Sequence, residues 1–178
     1  DRLKELKKFH NFRFEKIDIT NKKKLDIFFK KKKISLIINL AAQAGVRYSL
    51  IKPTEYVDNN VLGFYNIISA ANKFKVKRII YASSSSVYGD SVIFPLSEKQ
   101  KIKPKNIYAL SKKINEEMAD VFSEQFKIYF VGLRFFTVYG EWGRPDMFMM
   151  KYLVSSFNSS KRFYLNNFGN HTRDFTYT

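Results

Sequence analysis

The chain has 178 residues, of which 45% are hydrophobic and 17% aromatic, enough apolar side chain to bury a substantial core, and this excludes a disordered or fibrous chain. With no cysteine and two histidines it holds neither disulfides nor a thiolate or histidine-based metal site, and no apolar run has the roughly 18 residues that crossing a bilayer takes. The formal charge of +16 sits in lysine runs, Lys22-Lys23-Lys24 and Lys30-Lys31-Lys32-Lys33, which read as solvated surface rather than as a code for nucleic acid or membrane.

Short apolar runs rich in β-branched residues alternate with segments of helical period, the signature of βα units around a parallel sheet. In chain order the spacing predicts a strand over Phe12 to Ile17, a helix capped by Thr20 and reaching Lys32, and a strand over Ile34 to Leu40. Pro53 opens a helix to Phe74, and a strand follows over Arg78 to Ala82. A third helix runs from Asn106 or Ile107 to Phe126 with the stripe Ile114, Met118, Val121 and Phe122, and the last strand covers Tyr129 to Phe135. Small and polar residues gather after three of these strands, at Ala41 to Ser49, Ser83 to Asp90 and Thr137 to Asp146. Ligands of open α/β sheets bind outside the carboxyl ends of the strands, so the clusters point to one crevice.

Tyr108 and Lys112 stand one turn apart at the start of the third predicted helix, where an ammonium can favour the ionised phenol and make it a base. The spacing alone is weak, because Tyr48 and Lys52 repeat it. Lys52 precedes Pro53, which disfavours the helical region for it, so that second pair is expected on a loop. The run Ser83-Ser84-Ser85-Ser86-Val87-Tyr88-Gly89 has an ordinary reading as a flexible polar loop. Its place directly after an apolar strand argues instead for hydroxyls in the crevice, with Gly89 available for a tight turn.

In order, Ala41-Ala42-Gln43-Ala44-Gly45-Val46-Arg47-Tyr48-Ser49, the Ser83 to Gly89 segment, Tyr108-x-x-x-Lys112, Leu133-Arg134-Phe135-Phe136-Thr137-Val138-Tyr139-Gly140 and Trp142-Gly143-Arg144-Pro145-Asp146-Met147 appear, with Arg173-Asp174-Phe175-Thr176-Tyr177 at the end. Together they resemble the UDP-glucuronate 4-epimerase group of the extended short-chain dehydrogenases/reductases, the NAD-dependent epimerase/dehydratase family, over nearly the whole chain. The resemblance implies a Rossmann-like, doubly wound parallel sheet in 1–140 and the beginning of a small nucleotide-sugar domain in 141–178. It implies NAD as cofactor, a UDP-sugar as substrate and a homodimer; the absence of cysteine fits a reducing cytoplasmic location, and the charge pattern and hydropathy lead us to expect neither a nucleic-acid nor a membrane partner.

The same resemblance makes Tyr108 the base, Lys112 its polarising partner and a holder of the nicotinamide ribose, and Ser84 the third catalytic group. It places Asp18 and Ile19 beside adenine, Leu40, Ala41, Ala42 and Ala44 along pyrophosphate and ribose, Asn60 as a further cofactor contact, Ser83 and Phe135 near the nicotinamide, and Ser85, Ser86, Thr137, Arg144 and Arg173 on the sugar nucleotide. Plainer readings make Asp18 a turn residue, Asn60 a helix-surface amide and Arg134 the partner of a buried carboxylate. Two features depart from the family: no Gly-x-x-Gly-x-x-Gly turn occurs, and Glu141 stands where relatives carry proline. The absent turn, with Asp1 at the front and no cap at Thr178, leads us to expect a fragment lacking both ends. The reaction implied is C4 epimerisation of UDP-glucuronate and UDP-galacturonate through a 4-keto sugar. The rivals are an epimerase of UDP-N-acetylhexosamine or its uronate, a dehydratase or decarboxylase of the same fold, and a basic nucleic-acid-binding or inactive remnant.

Overall fold

The computed structural model describes residues 1–158, 162–170, 172 and 174–178. In chain order its elements are α1 (Arg2–Leu6), α2 (Lys22–Lys31), β1 (Ile37–Asn39), α3 (Val46–Ile51) and α4 (Pro53–Tyr56), then a π-helical stretch Val57–Leu62, α5 (Gly63–Lys73) and β2 (Arg78–Ser84). A 3-10 turn Ser85–Tyr88, α6 (Ile107–Phe126), β3 (Tyr129–Phe135), β4 (Thr137–Tyr139), α7 (Phe148–Ser156), a second 3-10 turn Asn166–Gly169 and β5 (Phe175–Tyr177) complete it. The elements fall into two compact units, one of Glu15–Phe135 and one of Asp1–Phe14 with Phe136–Thr178.

The larger unit is built on a parallel sheet in the order β1-β2-β3, with Ile37 opposite Ile79 and Arg78 to Ser84 opposite Tyr129 to Phe135. The α/β, Rossmann-like class is therefore observed. Ile79 and Tyr81 alternate with less buried neighbours along β2 and enter a core with Phe64, Ile67, Ile68 and Ala71 of α5, Ala119 of α6, and Leu25 and Phe29 of α2. Phe64 and Tyr81 meet at a centroid distance of 5.2 Å, and Gly132 on β3 leaves room for the Tyr81 phenol. Burial of these side chains is the main favourable term holding the unit together.

Local chemistry sets the element ends. Asn21, not Thr20, caps α2, its side chain accepting from the Lys24 amide, because Thr20 is engaged in a turn with Asp18. Asn106 caps α6 by accepting from the Ala109 amide at 2.9 Å, and Lys127 closes that helix in the left-handed conformation. The helix expected from Pro53 to Phe74 is present from Pro53 to Lys73, widened to π geometry at Val57–Leu62.

Three expectations are corrected. Phe12 to Ile17 forms no strand: no other described strand lies beside it to complete a ladder, and an unladdered segment stays irregular. The strand expected over Ile34 to Leu40 shortens to Ile37–Asn39, the stretch with partners on β2. Tyr48 lies in the short helix α3 rather than on a loop, while Lys52, before Pro53, falls outside it as the spacing requires.

In the smaller unit β4 pairs parallel with β5, Thr137 opposite Phe175 and Tyr139 opposite Tyr177. Aromatic rings fill the space beside them. Phe148 and Tyr152 of α7, Phe163 and Phe175 lie within 6.5 Å of one another in successive pairs, and Arg2 donates to the Gly143 carbonyl at 3.3 Å. Among the described residues no helix is long and apolar enough to cross a membrane.

Candidate functional site

The α6 cap at Asn106 sets the first turn of the helix against the end of β2, and this places Lys112. Its side chain is 4% exposed and its Nζ donates to the Ala82 carbonyl at 2.8 Å. Burial strips water from the ammonium and lowers its pKa to about 8. No other hydrogen bond of Nζ is present among the described residues, so two of its three protons are left for a ligand. Tyr108, one turn earlier and half-buried, meets the Tyr56 ring edge-on at 6.0 Å. Tyr56 is itself fully buried and donates its hydroxyl to the Gly45 carbonyl at 2.6 Å, which holds the platform rigid.

Ser83 and Ser84 prolong β2 two residues beyond the expected end at Ala82, and Ser85 and Ser86, both half-buried, begin the 3-10 turn. The Ser84 hydroxyl accepts from the Ser86 amide at 3.2 Å as the cap of that turn. Its own proton is thereby left for another acceptor. Ser83 points elsewhere, donating to Glu116 Oε1 at 2.5 Å. Glu116 lies one turn after Lys112 and is gripped by Arg134, whose Nε and Nη2 donate to its two oxygens at 3.0 and 2.8 Å. The plainer reading of Arg134, a carboxylate partner, is what the geometry shows. The group that sequence reasoning missed is Glu116, and the signal was the repeat of four residues through Tyr108, Lys112 and Glu116.

The loop after β1 contributes Leu40, Ala41, Ala42 and Ala44, exposed or half-buried, with the Ala44 carbonyl 3.1 Å from the Tyr56 hydroxyl. Asn60 is 1% exposed, so it is no surface amide. Its Oδ1 accepts from the Gln43 amide at 2.7 Å, and its Nδ2 donates to the Gln43 carbonyl at 3.0 Å and to Ser111 Oγ at 2.9 Å. Ser111 passes the chain on by donating to the Tyr108 carbonyl at 2.7 Å, and Asn115 donates to the Asn60 carbonyl at the same distance. The Gln43 loop is thus tied to the backbone of Tyr108. Six residues along, Asn66 donates to the carbonyls of Ile19 and Thr20 at 3.1 and 3.2 Å and fixes the other loop of interest. Asp18 accepts from the Thr20 amide and hydroxyl, and those bonds, the amide's first, hold its carboxyl below the usual range. Phe135, at the end of β3, is exposed.

Of the described sugar-side candidates, Ser85 and Ser86 belong to the larger unit, and Thr137 and Arg144 to the smaller. Thr137 is on β4, and Arg144 is bidentate to Asp146, Nε to Oδ1 at 2.9 Å and Nη2 to Oδ2 at 2.5 Å. That pairing lowers the Asp146 carboxyl, the Arg144 hydrogen bonds leading. Arg173 lies outside the described residues.

Tyr108 and Lys112 stand one turn apart on α6, and Lys112 is bonded to the strand end that carries Ser84; a phenol, a buried ammonium and a hydroxyl are the groups suited to moving a proton at a bound alcohol. The model of the NAD dependent epimerase/dehydratase family matches residues 1–178. Protein CapI of Staphylococcus aureus is 45% identical over 178 residues, covering 99% of this chain and 53% of that protein. The UDP-glucuronate 4-epimerase of Thermodesulfobacterium geofontis is 40% identical over 178 residues, covering 99% and 54%. Among solved structures, the UDP-glucuronic acid 4-epimerase from Bacillus cereus, in complex with UDP-glucuronic acid and NAD, superposes with a TM-score of 0.89 at 33% identity, covering 98% of this chain and 55% of that one. The chain spans about half the length of the relatives it matches.

Proposed function

The chain belongs to the NAD dependent epimerase/dehydratase family, and from that premise we propose that the protein inverts C4 of a UDP-hexuronic acid, interconverting UDP-glucuronate and UDP-galacturonate. The observation that carries the reading is Lys112, a buried ammonium anchored two residues before Ser84 and one turn after Tyr108, with protons to spare. Those spare protons fit a ribose hydroxyl and a tyrosine oxygen, so Tyr108 and Lys112 would hold the nicotinamide end of NAD. Asp18, Ile19, Leu40, Ala41, Ala42 and Ala44 would line the rest of it on loops that Asn66 and Asn60 keep in place. NAD, when bound, supplies a hydride acceptor that later returns the hydride to the sugar.

In this mechanism Tyr108 takes the proton of the sugar 4-hydroxyl and gives it back to the 4-keto sugar after the ring has turned. The Lys112 ammonium stabilises the phenolate at the moment it forms, and Ser84, with its proton unengaged by the turn it caps, donates to the same sugar oxygen. Inversion requires a site that grips the UDP and leaves the hexose free to rotate. Ser85, Ser86, Thr137 and Arg144 are proposed for the hexuronate, and Arg173 for the diphosphate, where a guanidinium fork suits phosphate oxygens. Residues 1–140 are proposed as the dinucleotide portion and 141–178 as the start of the sugar-nucleotide portion of a cytoplasmic homodimer.

The test is to incubate the full-length protein and NAD with UDP-glucuronate, UDP-galacturonate and the N-acetylated analogues, each deuterated at C4, and to follow products by NMR. The uronates should interconvert with the label kept at C4. Conversion of the N-acetyl sugars alone would move the substrate assignment, and loss of the label to solvent would sink the mechanism.

A further inference from the structure

The ion pair between Glu116 and Arg134 touches the serine segment at both of its ends. Ser83, just before Ser84, donates its hydroxyl to Glu116 Oε1. Tyr88, which closes the turn carrying Ser85 and Ser86, accepts from Arg134 Nη1 at 3.2 Å and lies beneath the guanidinium, 5.0 Å from carbon to ring centroid. The remaining reach of Nη1 goes to the Glu98 carbonyl at 3.1 Å. Glu116 is fixed to α6 one turn beyond Lys112, and Arg134 to β3 one residue before Phe135. One carboxylate therefore joins the strand end that carries Ser84, the helix that carries Tyr108 and Lys112, and the neighbouring strand end.

We propose that Glu116, through its pair with Arg134, is a positioning residue that sets Ser84 against Tyr108 and Lys112, an inference that rests on the reading of Ser84 given above. The geometry favours this over a stability role alone. A fork-on-fork guanidinium–carboxylate contact fixes direction as well as distance, and both side chains are mostly buried, at 20% and 14% exposure, so water loosens it little. Ser83 has one proton, and a carboxylate can only accept, so the Ser83 proton is committed to the helix. The adjoining residue, Ser84, is held by backbone on a side chain that cannot swing.

The test is a double-mutant cycle in the full-length protein. Glu116→Ala and Ser84→Ala should each lower kcat, by about tenfold or more, while KM and NAD affinity move less than about threefold, and the double variant should be no slower than the worse single one. Glu116→Gln, which can still accept from Ser83 and from Arg134 Nε but loses the second arm of the fork, should regain part of the loss, and it serves as the working variant if Glu116→Ala does not fold. Losses that add in the cycle, or wild-type kcat in both Glu116 variants, overturn the proposal while leaving the epimerase reading intact. Absence of epimerisation by the unsubstituted protein overturns both.

Discussion

Lys112 donates to the carbonyl of Ala82 at 2.8 Å, so the ammonium of the proposed site is moored to the sheet while its remaining protons stay uncommitted among the described residues. Mooring it there removes it from water, and the same burial that readies it for a ligand destabilises the fold. The folded pKa is about 8 against 10.5 for an unburied lysine. Between those values the unfolded chain binds a proton that the folded chain does not, so stability rises with pH across that window; below about 8 both states are charged and the full penalty stands. Lys112→Met should therefore stabilise the protein by ~1–3 kcal/mol at pH 7, the lost bond to Ala82 offsetting part of the gain, with the advantage gone by pH 10.5. Urea unfolding at the two pH values checks it, and an advantage equal at both would contradict it.

Tyr108 is packed edge-on against a fully buried Tyr56, with 6.0 Å between the ring centroids. Tyr108→Phe keeps the ring and removes only the proton carrier. Turnover in the full-length protein should fall by about 10²–10⁴-fold, while calorimetric UDP affinity stays unchanged. Turnover near that of the unsubstituted protein would remove Tyr108 from the mechanism.

The legible part of this molecule was local. The cap at Asn106, the stripe of α6 and the Tyr108–Lys112 face follow from spacing along one helix, and three apolar runs became parallel strands with the serines at a strand end. Non-local pairing was illegible. Phe12 to Ile17 has strand composition and no strand beside it, which no periodicity reveals. Glu116 reads as one more charge on an amphipathic helix until Arg134, on a different strand, reaches it. Asn60 has the polarity of a surface amide, yet within the π-helical stretch it lies buried and faces inward onto Gln43, a tertiary contact that spacing does not reveal.

That inward turn makes a stability prediction. Asn60→Ala would leave the half-buried amide and carbonyl of Gln43 and the buried hydroxyl of Ser111 each short of a partner, at a cost of ~1–3 kcal/mol. The specific sign is at Gln43, whose amide proton Asn60 shields; hydrogen exchange there should accelerate more than at the sheet amides of Ile79 or Ile80. Even acceleration over the whole unit would mean that Asn60 supports the fold in general and not the loop beside the proposed cofactor site.

Gly89 closes the serine turn at φ 66° and ψ −140°, where a side chain is strained, and an added Cβ would stand 2.1 Å from the backbone oxygen of Lys103. Lys103 cannot move aside cheaply, because its amide donates to the Val87 carbonyl at 3.0 Å and the chain enters the α6 cap at Asn106 three residues later. Gly89→Ala should cost ~2–4 kcal/mol through strain and backbone clash together. Asparagine, which tolerates ordinary left-handed geometry, should do no better, since this ψ lies outside that region and its Cβ meets the same oxygen. Because the displaced segment leads into the helix of Tyr108 and Lys112, activity should decline with stability in both variants. Thermal melts of Gly89→Ala and Gly89→Asn within a degree or two of the unsubstituted protein would show that the Lys103 segment yields freely and that this turn does not brace the site.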